Sequence, residues 1–182
     1  MAHSHDDHVH EADPACAVAH GEVVPDASHV GERVLVAVFA SPVADHLLRY
    51  GADLGYRAVL LEPDSGRAEE ATNGAEVVAK VPAWLDATAD VVVTDHDRPE
   101  LGDVLHELLA YPCRWIGVMG SPRHTAPHVA ALAERGVPPE QVARVHRPIG
   151  LNIGSKTPPE IAISTLAGLL ADRNGRPGGF GF

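Results

Sequence analysis

Short runs of valine, leucine and isoleucine recur along the chain, and segments with apolar residues every three or four positions separate them. The first run, Arg33–Ala40 (R-V-L-V-A-V-F-A), is apolar at nearly every position, which predicts a strand buried on both faces. Ser41 and Pro42 then supply an N-cap and a first helical residue, and Val43, Leu47, Leu48 and Leu54 keep helical spacing up to Gly55. Tyr56–Leu61 is a second predicted strand, Glu76–Val81 a third, Asp90–Thr94 a fourth and Arg114–Met119 a fifth. A brief amphipathic turn around Trp84 and Leu85 fills Pro82–Thr88, and a helix is expected from Pro99 to Ala110. Another is expected from Ser121-Pro122 to Arg135, where Gly136 stops it. Pro138 and Pro139 open a short helical piece before a sixth strand, Ala143–Val145, and residues 158–173 form a last amphipathic helix with Ile161, Ile163, Leu166, Leu169 and Leu170 near one face.

Strands that alternate with helices in this order predict an α/β fold: a doubly wound, mainly parallel, Rossmann-like sheet of about six strands. Its ligand crevice belongs at the carboxyl edge of the strands. With 182 residues and 45% hydrophobic content the chain suits one such domain, expected over residues 33–174, between an acidic His-rich tail at 1–32 and a Gly-rich tail at 175–182. The net charge of −11 includes no basic cluster, which argues against nucleic acid and anionic membranes as partners. The two cysteines are too few for a disulfide framework, and neither a signal peptide nor an apolar membrane span is evident, so a cytoplasmic setting is expected. The tail holds His3, His5, His8, His10, His20 and His29, half of the chain's 12 histidines. Spaced as His3, His5, His8 and His10 are, they can chelate Zn, Ni or Cu, or else form a solvated extension with no such role.

The layout from Arg33 to Glu62 is that of a dinucleotide-binding βαβ unit, with an acid about twenty residues past the turn. The glycine fingerprint is replaced by Phe39-Ala40-Ser41-Pro42-Val43-Ala44, whose side chains hinder the approach of a pyrophosphate. Ser41 remains a candidate ligand at that turn, and Glu62 can accept a ribose hydroxyl or simply serve turn chemistry. Asp95-His96-Asp97 ends the fourth strand. Asp97 is placed to cap the next helix, while His96 can face the crevice. At the fifth strand's end a glycine, Gly120, permits close backbone approach beside Ser121, and Arg123 adds charge.

The segment richest in such signals is Val145–Ala162 (V-H-R-P-I-G-L-N-I-G-S-K-T-P-P-E-I-A). Thr157, Pro158 and Glu160 form a capping-box signature, so a helix is expected to start near Pro158. The amides of that first turn, together with Gly150, Gly154 and Ser155, are expected to face an anion with Lys156 nearby. The bland alternative is that these glycines relieve strain in a tight loop and the capping box only ends a helix.

Taken together, R-W-I-G-V-M-G-S-P-R-H-T at Arg114–Thr125 and H-R-P-I-G-L-N-I-G-S-K-T-P-P-E-I-A at His146–Ala162 resemble the Rossmann-like carboxyl-terminal domain of the XdhC/CoxI family, over roughly residues 33–173. By motif position Gly117, Gly120, Ser121, Arg123, His146, Pro148, Gly150, Gly154, Thr157 and Glu160 match, and Asn152 stands where the family's L-D-I-G has an acid. The family's G-A-G-H-V-A turn is replaced by Phe39–Ala44. Its amino-terminal domain, with a cysteine motif, is expected to be absent here. The resemblance implies an accessory protein of xanthine dehydrogenase and related molybdenum hydroxylases, one that handles the molybdenum cofactor and works with the apoenzyme. A separate subunit carrying the amino-terminal domain and a homodimer are further expected associations.

Three functions therefore compete: a non-catalytic module that binds the molybdenum cofactor or a nucleotide; an NAD(P)-dependent oxidoreductase with His96 or His146 as acid or base; and a metal-binding protein led by the tail histidines.

Overall fold

In the computed structural model, which describes residues 32–70, 74–121 and 126–179, the valine runs become the strands of one sheet. Six strands, β1 (Val34–Val38), β2 (Arg57–Leu61), β3 (Glu76–Val78), β4 (Ala89–Val93), β5 (Trp115–Val118) and β6 (Val145–His146), lie in the order β3-β2-β1-β4-β5-β6. All pairs are parallel, with Val36 opposite both Val59 and Val91, and Gly117 opposite His146. β1 and β4 are buried at every position, as their uninterrupted apolar composition requires of central parallel strands.

Helices cover both faces. On one, Val36, Val38, Val91, Val93, Ile116 and Val118 pack with Leu101, Leu105 and Leu108 of α3 (Leu101–Leu108) and Leu132 of α4 (Pro127–Glu134). On the other, Leu35, Ala37, Leu60, Val92 and Trp115 pack with Leu47 and Leu48 of α1 (Pro42–Asp53) and Leu166 and Leu169 of α6 (Pro158–Arg173). The alternation of partners along each strand follows from the two-residue period of side-chain direction. This is a doubly wound Rossmann-like fold, and its carboxyl edge collects Phe39, Glu62, Thr94, Met119 and Arg147 just beyond the strand ends.

Several boundaries differ from expectation. A five-residue helix, α2 (Ser65–Glu69), is capped by the Asp64 side chain at the Arg67 amide, and it buries none of its residues, so no apolar period announced it. α3 starts at Leu101, and Asp97 does not cap it: the Asp97 amide is instead bound by Asp95 Oδ1 (3.0 Å). α4 begins at Pro127, five residues later than anticipated. On α6, Ile163 is 53% exposed and so lies off the buried stripe. A four-residue helix, α5 (Pro139–Val142), precedes β6.

The amino edge of the sheet is closed by a buried polar group. Asp90, 1% exposed, accepts from the Tyr56 hydroxyl (3.0 Å) and from Arg114 Nε (2.5 Å), while Arg114 Nη1 donates to Asp172 (2.8 Å). Burial raises the Asp90 carboxyl above its ordinary range, and the Arg114 hydrogen bond and charge oppose part of that rise. Burial beside Asp90 also raises the Tyr56 hydroxyl far above its usual range.

Candidate functional site

The opening turn, between β1 and α1, is filled by the chain's own side chains. Phe39 sits at φ 71°, a left-handed conformation that glycine takes without penalty and that costs a bulky residue on the order of 1 kcal/mol or more. Its carbonyl accepts from Thr94 Oγ1 (2.8 Å), and its ring is fully buried with the Arg98 guanidinium 6.0 Å above it. The next amide, Ala40 N–H, donates to Glu62 Oε2 at 2.8 Å. In a glycine-rich turn a pyrophosphate takes such donors; here a carboxylate from the end of β2 does.

Glu62 is 0% exposed and has both oxygens engaged, Oε1 accepting from the Asp64 amide (3.0 Å) and Arg67 Nε (3.2 Å). Arg67 continues to Glu100 (2.8 Å), and Arg98 bridges the Ala40 carbonyl (3.1 Å) and Asp95 (2.8 Å). Ser41 is equally committed: its hydroxyl accepts from the Ala44 amide (3.0 Å) and donates to Thr94 (2.9 Å). Ser41 and Glu62, expected to contact a cofactor, have their side chains engaged within the protein. His96 lies at the same end of β4, partly exposed, with Nε2 3.6 Å from Asp97.

The late loops tell a different story. On the side where Gly117 in β5 would carry a Cβ, the Trp115 indole lies across its Cα and a Cβ would also stand 2.7 Å from Ile149 Cγ2. The glycine makes room for this packing. Over Gly120 lies the guanidinium of Arg147, whose Nε would be 2.6 Å from an added Cβ, and Arg147 Nη2 donates to the Ser121 carbonyl (3.3 Å). Gly150, at φ 81°, backs onto α6, where Ser164 Oγ would be 2.7 Å from a Cβ and Gly168 faces the loop backbone. Ser164 fastens the loop by donating to the Leu151 carbonyl (2.5 Å) and accepting from its amide through the Ser164 carbonyl (3.0 Å).

The start of α6 does not offer the amides expected of it. Two of its first positions are Pro158 and Pro159, which have no N–H, and the Ile161 amide is bound to the Thr157 carbonyl (3.0 Å). Glu160 Oε2 accepts the amides of Lys156 (2.9 Å) and Thr157 (3.1 Å), and those bonds hold the Glu160 carboxyl below its usual range. The capping box predicted from Thr157 and Glu160 is present, and Glu160 takes up the Lys156 and Thr157 amides in it. Asn152, Gly154, Lys156 and Thr157 are exposed around it.

The carboxyl edge therefore holds two separate groups. Glu62, Ser41 and His96 gather at β2, β1 and β4, while Gly117, Gly120, Ser121, His146 and Gly150 gather at β5 and β6. β1 and β6 lie three strand spacings, roughly 14 Å, apart along the sheet, while β4 and β5 between them are hydrogen-bonded neighbours. Sequence reasoning missed Arg147, Arg98 and Trp115. A readable signal existed for Trp115, because Gly117 two residues on shares its face of the strand and leaves room for a large ring.

His146, exposed at the end of β6, stacks its ring on Trp115 with centroids 5.2 Å apart and planes 5° apart. Beside Arg147, His128 is 3% exposed, its Nδ1 is without a hydrogen-bond partner among the described residues, and burial and the Arg147 charge push its pKa below the ordinary value. Arg123 and the tail histidines His3, His5, His8 and His10 lie outside the described residues. Among the described residues no cluster of three or more His, Cys, Asp or Glu is placed to hold a metal ion, and no helix is long and apolar enough to cross a membrane.

Residues 35–169 match the XdhC Rossmann domain. The chain is 40% identical over 95 residues to the Escherichia coli (strain K12) protein YqeB, an alignment that takes in 52% of this chain and 18% of YqeB. It also resembles, with a TM-score of 0.63 and 24% identity, a Bacillus halodurans crystal structure described as a xanthine dehydrogenase; the match covers 80% of this chain and 44% of that one. The chain thus spans less than half the length of either relative. The match extends from β1 to the last turns of α6 and takes in both late loops, and on that extent the chain belongs to the XdhC Rossmann domain family.

Proposed function

We propose that this chain is the Rossmann module of an accessory protein for molybdenum hydroxylases of the xanthine dehydrogenase type, and that it holds the molybdenum cofactor or a nucleotide at the carboxyl ends of β5 and β6. The observation that carries the location is Arg147, whose guanidinium lies over Gly120 at the end of β5 while the opening turn is closed by Glu62. A cation beside a side-chain-free backbone suits a phosphate, which the pterin cofactor and a nucleotide both bear. The family match supports the accessory role. The same geometry disfavours NAD(P) at the opening turn, where the donors a pyrophosphate needs are bound to the protein's own carboxylate.

In this reading the role is one of binding and delivery, with the apoenzyme as partner. When bound, the cofactor would supply the redox chemistry of the client enzyme; this chain would orient and shield it. The test is co-expression of a xanthine dehydrogenase-type apoenzyme with and without this chain. Higher cofactor occupancy of the client in its presence is expected, as is release of an oxidised pterin from the purified chain after denaturation. Equal client occupancy under both conditions overturns the accessory role, and Arg147→Ala with unchanged pterin content overturns the location.

A further inference from the structure

The stacked pair at the end of β6 is more than packing requires. His146 is exposed, yet its ring is held nearly parallel to that of Trp115, itself 8% exposed. Trp115 can take this attitude because Gly117 has no side chain: a Cβ there would penetrate the indole and crowd Ile149. Gly117 and His146 are register partners across β5 and β6, so the ring of the edge strand meets the indole that crosses its neighbour. One imidazole face is backed by Trp115, and the residue is exposed at the edge strand. The residue that follows, Arg147, carries its guanidinium to Gly120.

From the exposed imidazole backed by Trp115, with Arg147 next in the chain, we infer that His146 is a stacking platform for a planar heteroaromatic ring that carries a phosphate. A rigidly backed aromatic face binds such rings through their π-surface with little regard to which heterocycle is present, and a neighbouring guanidinium selects those bearing an anion. The ligand class is thus set by two features, a flat ring on the imidazole and a phosphate that reaches round the carboxyl edge to the guanidinium over Gly120. Purine nucleotides and pterin phosphates share both. This assignment rests on the location proposed above and adds the residue that receives the ring.

The test uses the full chain with Trp84→Phe, which leaves Trp115 as its one tryptophan. Titration with AMP, adenosine and ribose 5-phosphate is followed by Trp115 fluorescence, and calorimetry with AMP and with pterin 6-carboxylate separates the two sources by their affinities. AMP is expected to change the Trp115 emission saturably, adenosine to bind more weakly and ribose 5-phosphate to leave the emission unchanged. His146→Ala should weaken the ring ligands about tenfold, and His146→Tyr should restore them, as loss and return of one stacking face predict. Binding unaltered in His146→Ala, or no response of Trp115 to any ring ligand at millimolar concentration, overturns the platform. Client cofactor occupancy that still rises with His146→Ala leaves the accessory role standing and rejects the platform alone, so the two failures are told apart.

Discussion

Replacing Glu62 by alanine removes the carboxylate that closes the opening turn. It leaves the Ala40 and Asp64 amides, bound at 2.8 and 3.0 Å, without their acceptor. Hydrogen bonds to a charged group contribute about 1.5–3 kcal/mol each, but desolvating a carboxylate that is 0% exposed opposes part of that gain. The third bond, from Arg67 at 3.2 Å, adds little, because that side chain is 28% exposed and keeps Glu100. Two amide bonds, less the desolvation relieved, give an expected loss of about 3 kcal/mol. That is a large part of the roughly 5–15 kcal/mol available to a domain. Glu62→Gln keeps one acceptor oxygen but turns an NH2 toward other donors, so about half the loss is expected. Urea unfolding monitored by circular dichroism measures both variants, with an unchanged slope required for the comparison. A loss below about 0.5 kcal/mol for Glu62→Ala would mean that the turn holds itself without the carboxylate, and that Glu62 is not what keeps a pyrophosphate from binding there.

Other consequences can be measured on the same protein. Asp90→Ala leaves Arg114 beside a buried phenol, and a destabilisation of about 3 kcal/mol is expected in urea, at the low end for a broken buried pair because Arg114 is 24% exposed and retains Asp172. His128 has its pKa lowered in the fold by burial and by Arg147, so above about pH 6.5 it is neutral in both states and has no effect on the pH dependence. As pH falls below that value the unfolded chain takes up the proton first, and stability declines until the folded pKa is passed; His128→Leu should flatten the melting temperature between pH 7.5 and 5.5 relative to the parent. The Cys113 thiol, 8% exposed and pushed up to about 11 by burial, should stay unreactive toward DTNB at pH 8 in a Cys16→Ser background until the protein is unfolded; rapid native labelling would contradict that burial.

What was legible in the chain is what local sequence controls. Valine runs of strand length, serine-proline helix starts and the Thr157–Glu160 box each act over a few residues, and strands β1 and β4, helix α1 and the start of α6 follow from them. α2 escaped because none of its five residues is buried, leaving only the Asp64 cap to signal it. The site was less legible because its contacts are remote in sequence: Glu62 meets Ala40 across 22 residues, and Arg147 reaches Ser121 across 26. Both acids and bases could be named from the chain, but not which of them would neutralise one another. Pro158 and Pro159 are a different case. Their missing N–H groups were on view in the sequence, and counting donors as well as caps would have reduced the amides expected at that helix start.

This donor count bears on how a Rossmann sheet can exchange one binding end for another. A glycine-rich opening turn works by leaving amides unpaired for a ligand, so a chain that loses those glycines must satisfy the amides itself or leave them buried and unpaired. Here Glu62 satisfies Ala40, and Phe39 fills the space with its ring while the Thr94 hydroxyl holds its carbonyl. The turn is then a structural joint, and a ligand arriving there would have to displace a fully buried carboxylate. At β5 and β6 the Leu151, Lys156 and Thr157 amides are also bound, by α6 and by Glu160, and the side chains set there are the exposed imidazole of His146 and the guanidinium of Arg147, which lies over Gly120 and donates to the Ser121 carbonyl. A ligand can engage those without breaking a main-chain hydrogen bond. The difference in what must be disrupted, more than any difference in charge, is why binding is assigned to the far end of the sheet.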